Sequence, residues 1–172
     1  DDKGIIRFAK VPYGAYNIRE TAAPEGYLLS KAIIPVTIDE KYRNSAEPLA
    51  TVTNQLKRIK YIKTDTSGKY LSGIEFALID QATGNAVETV TSDENGVLIF
   101  TKFDYGDWII REVKAPDGYN LMEDIHLHVD ENWTEPAPFT CIDVPNHYEF
   151  VKTDNKGNPL PGVKFTLEDG NG

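Results

Sequence analysis

Polar and apolar positions alternate with a period of two through most of the chain, and turn residues interrupt them at short intervals. That period puts successive side chains on opposite faces of a strand. Lys57 to Thr64 alternates and ends at the turn Thr66-Ser67-Gly68. Ile74 to Asp80 alternates around Phe76 and Leu78, and Ala82-Thr83-Gly84-Asn85 turns into a short strand from Ala86 to Thr91. Asp93-Glu94-Asn95-Gly96 is a hairpin signal, because Asn-Gly tolerates the positive φ of a tight turn. Val97 to Thr101, Trp108 to Val113, Ile125 to Val129 and Phe139 to Val144 complete a set of seven short strands. No stretch carries a helical period, and Asp130 to Pro138 reads as a polar loop. The pattern predicts an all-β, antiparallel-rich sandwich with Ile62, Phe76, Leu78, Leu98, Phe100, Ile110, Leu127 and Ile142 inside.

The same pattern occurs more than once. Gly4 to Tyr27 and Gly96 to Tyr119 match at one constant offset in Gly, Phe, Tyr-Gly, Arg-Glu and Ala-Pro-x-Gly-Tyr. Lys63-Thr64-Asp65 with Gly68, Leu71, Gly73, Phe76 and Leu78 matches Lys152-Thr153-Asp154 with Gly157, Leu160, Gly162, Phe165 and Leu167. The repeat divides the chain into the C-terminal part of one module (1–54), a complete module (55–146) and the beginning of a third (147–172). The chain therefore reads as a piece of a longer tandem array.

Composition narrows the partners. The net charge of -9 argues against nucleic acid, whose phosphates require clustered Lys and Arg. No apolar run approaches the length that spans a bilayer, and no signal peptide opens the chain. Nine Tyr, seven Phe and two Trp suit β packing. The one cysteine, Cys141, cannot form an internal disulfide and reads as a small core residue. No phosphate loop, nucleophile elbow or zinc motif is present, so no cofactor or metal is expected. His126 and His128 share a strand face and read as a surface pair. Asp65 and Asp154 read as caps of the turn after the first strand. The Ala-Pro-x-Gly-Tyr loop reads as a backbone fixture, with Tyr27 and Tyr119 covering the core edge.

K-T-D-x-x-G-x-x-L-x-G-x-x-F-x-L, then D-x-x-G-x-x-x-F, then Y-G-x-x-x-x-R-E-x-x-A-P-x-G-Y resembles the collagen-adhesin B-type (Cna-B) repeat. The likeness runs through the whole chain, as one full and two partial repeats. It implies a transthyretin-like (prealbumin-like) sandwich of the kind that builds stalks of Gram-positive surface adhesins and pili. It also implies an intramolecular isopeptide bond between a Lys on the first strand and an Asn or Asp on the last, assisted by a Glu.

The chemistry of such a bond is demanding. A lysine amine attacks a carboxyl or carboxamide carbon only when neutral, yet in water its pKa is about 10.4. Burial disfavours the ammonium, and it favours the protonated form of a neighbouring carboxyl that shuttles protons. Alternation places Lys63 on one strand face with Ile59 and Tyr61, and Glu112 on one face with Trp108 and Ile110. Asp143 precedes Lys152 by the same nine residues that separate Asn54 from Lys63, so Asp143 closes the complete module as Asn54 closes its predecessor. By resemblance, Lys63 joins Asp143 with Glu112 as catalyst; Asp in place of the commoner Asn departs from the family's usual pattern. A strand Lys or Glu taken singly is ordinarily solvated or ion-paired, and a buried Lys63–Asp143 salt bridge without a covalent bond is the intermediate case.

The flanking parts are complementary. Segment 1–54 supplies Glu20 and Asn54, and 147–172 supplies Lys152. Strand exchange between molecules would bring the three together, with Lys152 and Asn54 as a second, intermolecular link. The expected partners are thus neighbouring modules of the same protein, with self-association by exchange, on the bacterial cell wall. The resulting reading is a structural stalk whose only chemistry is a single-turnover self-crosslink. The alternative is a module that binds a host protein or glycan through its loops, where Trp133 is the only loop Trp.

Overall fold

The computed structural model describes residues 2–42 and 50–170. Of the segments 1–54 and 147–172, positions 1, 43–49, 171 and 172 lie outside the described residues. Among the described residues nine strands form: β1 (Gly14–Arg19), β2 (Ile33–Ile38), β3 (Ile59–Asp65), β4 (Glu75–Asp80), β5 (Ala86–Thr91), β6 (Val97–Phe100), β7 (Gly106–Glu112), β8 (Ile125–Val129) and β9 (Phe139–Asp143). One 3-10 turn spans Glu40–Tyr42.

The fold is an all-β sandwich. β6-β3-β9 form one sheet and β5-β4-β7-β8 the other, while β1 and β2 form a separate hairpin. All pairs are antiparallel except β3–β9, which runs parallel from Tyr61 opposite Phe139 to Asp65 opposite Asp143. Parallel neighbours need a long crossover. Here the whole second sheet lies between β3 and β9 in the chain, so the first and last strands of the sandwich end up side by side.

Inward positions of both sheets fill the space between them. Ile59, Tyr61, Leu98, Phe100 and Cys141 come from one sheet, and Phe76, Leu78, Trp108, Ile110 and Val129 from the other. Phe76, Leu78, Leu98, Phe100 and Ile110 are buried as the alternation predicts, and Leu127 packs half-buried against the cluster. Two expectations are corrected. Ile62 is only half-buried and Ile142 is 49% exposed. Both are off the core for one reason: their neighbours Tyr61, Lys63, Cys141 and Asp143 point inward, so period two turns the isoleucines out.

Short polar loops hold the ends of the strands. Asp65 Oδ1 accepts from Ser67 N at 2.8 Å, Ser67 Oγ at 2.6 Å and Lys69 N at 3.0 Å. The Ser67 hydroxyl leads these bonds in holding the Asp65 carboxyl below its ordinary range. Tyr119 Oη donates to Asp65 Oδ2 at 3.3 Å and ties the Ala-Pro-Asp-Gly-Tyr loop to the turn after β3. Asp154 caps its own turn in the same way, accepting from Lys156 N at 2.8 Å and Asn158 N at 2.9 Å.

A joint links the hairpin segment to the sandwich. Leu28 is buried within the same apolar cluster as Phe103 and Trp133. Tyr105 Oη donates to the Leu29 carbonyl at 2.6 Å, and the Lys57 ammonium pairs with Asp104 at 2.5 Å.

Candidate functional site

Lys63 sits at the inward-facing end of β3 with no solvent exposure. Its backbone is pinned on both sides: Lys63 N donates to Gly96 O at 2.7 Å, and Lys63 O accepts from Leu71 N at 3.0 Å. Gly96 holds φ +70°, and a Cβ there would stand 2.3 Å from Lys63 O, so the Asp-Glu-Asn-Gly turn needs glycine for conformation and for space. The Lys63 side chain runs into the core, where Nζ lies 5.3 Å from the centre of the Phe76 ring.

Two carboxylates meet that amine. Asp143, inward on β9, takes a hydrogen bond from Lys63 Nζ through Oδ1. Glu112, inward at the end of β7 and opposite Phe76 in the β4–β7 pair, places Oε1 3.1 Å from Nζ. All three side chains are fully buried. Glu112 Oε1 sits at ion-pair distance without hydrogen-bond geometry, and Asp143 Oδ2 has no hydrogen-bond partner. Two carboxyl groups thus face one amine in a dry core, where desolvation of unbalanced charge is costly.

The surroundings are apolar. Burial pushes the Cys141 thiol up to about 12, opposed by the Lys63 charge and reinforced by Glu112 and Asp143. Burial likewise pushes the Tyr61 phenol up to about 12. A backbone contact completes the site: Met122 N donates to Glu112 Oε2 at 2.9 Å, and the Met122 sulfur lies 3.7 Å from Lys63 Nζ.

The hairpin segment carries a matching frame. Glu20 Oε2 accepts from Ser30 N at 2.6 Å and from Asn54 Nδ2 at 2.6 Å. Asn54 Nδ2 also reaches the Leu28 carbonyl at 2.9 Å. Lys152 is not joined to this pair. Its side chain is exposed and donates to the Thr153 carbonyl at 3.3 Å. The structure thus brings together Lys63, Glu112 and Asp143, and separately Glu20 and Asn54.

The family profile described as "SpaA: Prealbumin-like fold domain" matches residues 1–51 and 57–137. The chain belongs to this SpaA-type prealbumin-like family. Among relatives of this SpaA-type chain, the serine-aspartate repeat-containing protein F of Staphylococcus epidermidis is 30% identical over 139 residues, covering 69% of the chain. The chain spans only 8% of that relative's length. Among solved structures, BcpA, the major pilin subunit of Bacillus cereus, is 30% identical over 54% of this chain and 31% of its own, with a TM-score of 0.45. The Bacillus anthracis TIE protein is 25% identical over 84% of this chain and 28% of its own, with a TM-score of 0.44. The assignment rests on the family profile.

Sequence reasoning passed over two members of the site in this SpaA-type sandwich. Met122 carries no motif, and its place became visible only when its amide was seen on Glu112; Ser30, ten residues after Glu20 as Met122 is after Glu112, was the available signal. Gly96 was read only as a turn residue. Elsewhere, His128 Nδ1 pairs with Asp107 Oδ1 at 2.6 Å on the surface. Trp133 is buried, its ring edge-on to Phe103 with centres 5.8 Å apart.

Proposed function

We propose that this chain is a stalk segment of a Gram-positive surface adhesin or pilus-type protein, displayed at the cell wall. Its 55–146 module closes on itself through a Lys63–Asp143 isopeptide bond. The observation that carries this reading is Lys63, buried without solvent between Glu112 and Asp143 on three different strands. As a buried ion pair such an arrangement is weak support for stability.

Condensation consumes the buried Lys63–Asp143 ion pair and leaves the net charge of the site unchanged. One ammonium proton moves to the Asp143 carboxylate, leaving a neutral amine beside a carboxylic acid. Nζ adds to Cγ of Asp143, forming the C–N bond. Glu112, as carboxylate, takes a proton from the new ammonium nitrogen and passes it to the Asp143 hydroxyl. The C–O bond breaks, water leaves, and Glu112 returns to its starting state. The product has lost one ammonium and one carboxylate; Asp143 Oδ1, which accepts the Lys63 proton, leaves as water, and Oδ2 stays as the amide carbonyl oxygen. Pinning of both backbones holds the reacting atoms close, which supplies the entropic part of the barrier.

The test is the intact mass of the 172-residue chain. A deficit of about 18 Da, lost in Lys63→Ala and Asp143→Ala, is expected from formation of one amide. A full-length mass with no deficit excludes the bond and leaves a buried ion pair.

A second reading concerns 1–54 and 147–172. Glu20 and Asn54 are already oriented by Ser30 and Leu28. Lys152, Tyr148, Phe150, Phe165 and Leu167 are all exposed. Their repeat counterparts Lys63, Ile59, Tyr61, Phe76 and Leu78 are buried. These observations support exchange, in which 147–172 of one molecule lies against 1–54 of another. Lys152 then attacks Asn54 and ammonia leaves. Denaturing gels of boiled protein test the covalent form: a ladder is expected, and a clean monomer band excludes it. Recognition of a host molecule through the loops has less support, since Trp133 is packed against Phe103 rather than presented to solvent.

A further inference from the structure

We infer that Met122 is a positioning residue and a redox-sensitive lid for the Lys63–Asp143 condensation; this rests on the proposed bond. Two contacts from one residue carry the inference. The Met122 amide holds Glu112 Oε2 at 2.9 Å, which leaves Oε1 3.1 Å from Lys63 Nζ. The Met122 thioether lies 3.7 Å from the same Nζ. Met122 itself is half-buried, so it stands between the amine and solvent.

The repeat separates the two roles. Ser30 occupies the corresponding place ten residues beyond Glu20, and its amide makes the same bond at 2.6 Å. The backbone clamp therefore recurs, whereas the sulfur lid is particular to the complete site. A thioether suits that place: it is apolar enough to exclude water and only a weak acceptor, so it does not hold the ammonium form of Lys63 in place.

Met122 is the only methionine in the chain. A peroxide oxidises its sulfur by two electrons, transferring one oxygen to give the sulfoxide and leaving water or an alcohol. The sulfoxide oxygen is a strong acceptor directed at Lys63, and it favours the ammonium over the reactive amine. Oxidation before closure then arrests the crosslink. After closure the amide is indifferent to it. Cys141 in the folded chain is sealed in the core, with its thiol pushed up to about 12, and is protected from the same oxidant.

The test uses the whole chain recovered unfolded in urea and diluted to start folding, with intact mass followed over time. Wild type and Met122→Leu are expected to lose about 18 Da at the same rate, since leucine keeps the lid. Met122→Ser is expected to close about tenfold more slowly, and its rate should rise more steeply with pH because solvent must now deprotonate the amine. Wild-type chain treated with hydrogen peroxide while unfolded, then with dithiothreitol to restore the thiol, should close as slowly as Met122→Ser. Peroxide should leave Met122→Leu unaffected. Closure of Met122→Ser or of the sulfoxide chain at the wild-type rate, with the wild-type pH profile, overturns the lid. Absence of any mass loss in the wild type overturns the bond itself, a separate outcome.

Discussion

Lys63 and Cys141 stand directly opposite each other in the parallel β3–β9 pair, and that register delivers the Lys63 amine to Asp143. Asp143 is two residues beyond Cys141, hence on the same inward face. A slip of one residue would turn Asp143 to the outer face, where Ile142 now lies 49% exposed. The proposed crosslink depends on the pairing of the first and last strands of the sandwich, and in return would clamp them together.

Glu112→Gln keeps the shape of the site but removes the proton carrier. We expect closure to slow by about a hundredfold or more. The unlinked chain should also lose the constraint on the loop between Lys63 and Asp143, which are 80 positions apart. By the chain-entropy relation used for disulfides, that constraint is worth about 4 kcal/mol. Differential scanning calorimetry should show a fall of roughly 20 °C in the transition of the sandwich; an unchanged transition in an unlinked variant contradicts this.

Gly96→Ala attacks the other side of Lys63. The new Cβ would sit 2.3 Å from Lys63 O at a φ of +70°, so strand and turn cannot both keep their places. A cost of about 3 kcal/mol is expected in urea unfolding. Closure should slow as well, because Lys63 N loses its bond to Gly96 O. Alanine at Gly84, which has φ +71° but open space around its Cβ, separates conformational strain from the clash and should cost less.

Leu28→Ala should loosen the joint between the β1–β2 hairpin segment and the sandwich. Leu28 is 1% exposed inside the common cluster. Truncation should cost about 3 kcal/mol. Hydrogen exchange should report it as faster exchange at Lys57 and Leu28, whose amides are bonded to Gly26 O and Gln55 O across the joint. Unchanged protection there would mean the joint is held by Tyr105 and Lys57 alone.

His128 should titrate above its ordinary value, because its hydrogen bond to the Asp107 carboxylate favours the imidazolium. The folded value is raised above the unfolded one. Its contribution to stability is therefore fully present below the unfolded value, near 6.5, and is lost as pH rises through the folded value. NMR titration of the ring protons should show the raised midpoint, and Asp107→Asn should return it toward the ordinary value. No shift between the two proteins would refute the pairing. The group is exposed, so the effect on stability is small.

The alternation of residues determined by itself the seven strands of the sandwich, their turns and the core positions Phe76, Leu78, Leu98, Phe100 and Ile110, because period two and turn chemistry are local; the hairpin strands β1 and β2 were not among them. Val97 to Phe100 and Ile125 to Val129 were legible without any partner strand. The repeat also singled out Lys63, Glu112 and Asp143, since they match Lys152, Glu20 and Asn54 in position. Only the tertiary structure decided what these residues face. That β3 and β9 are parallel neighbours depends on a long crossover, which no local pattern encodes. The outward turn of Ile62 and Ile142, the sealing of Trp133 against Phe103 and the placing of Met122 against both Glu112 and Lys63 all depend on contacts between residues distant in sequence. Hydrophobicity named those residues as apolar, and packing between the two sheets assigned each its side.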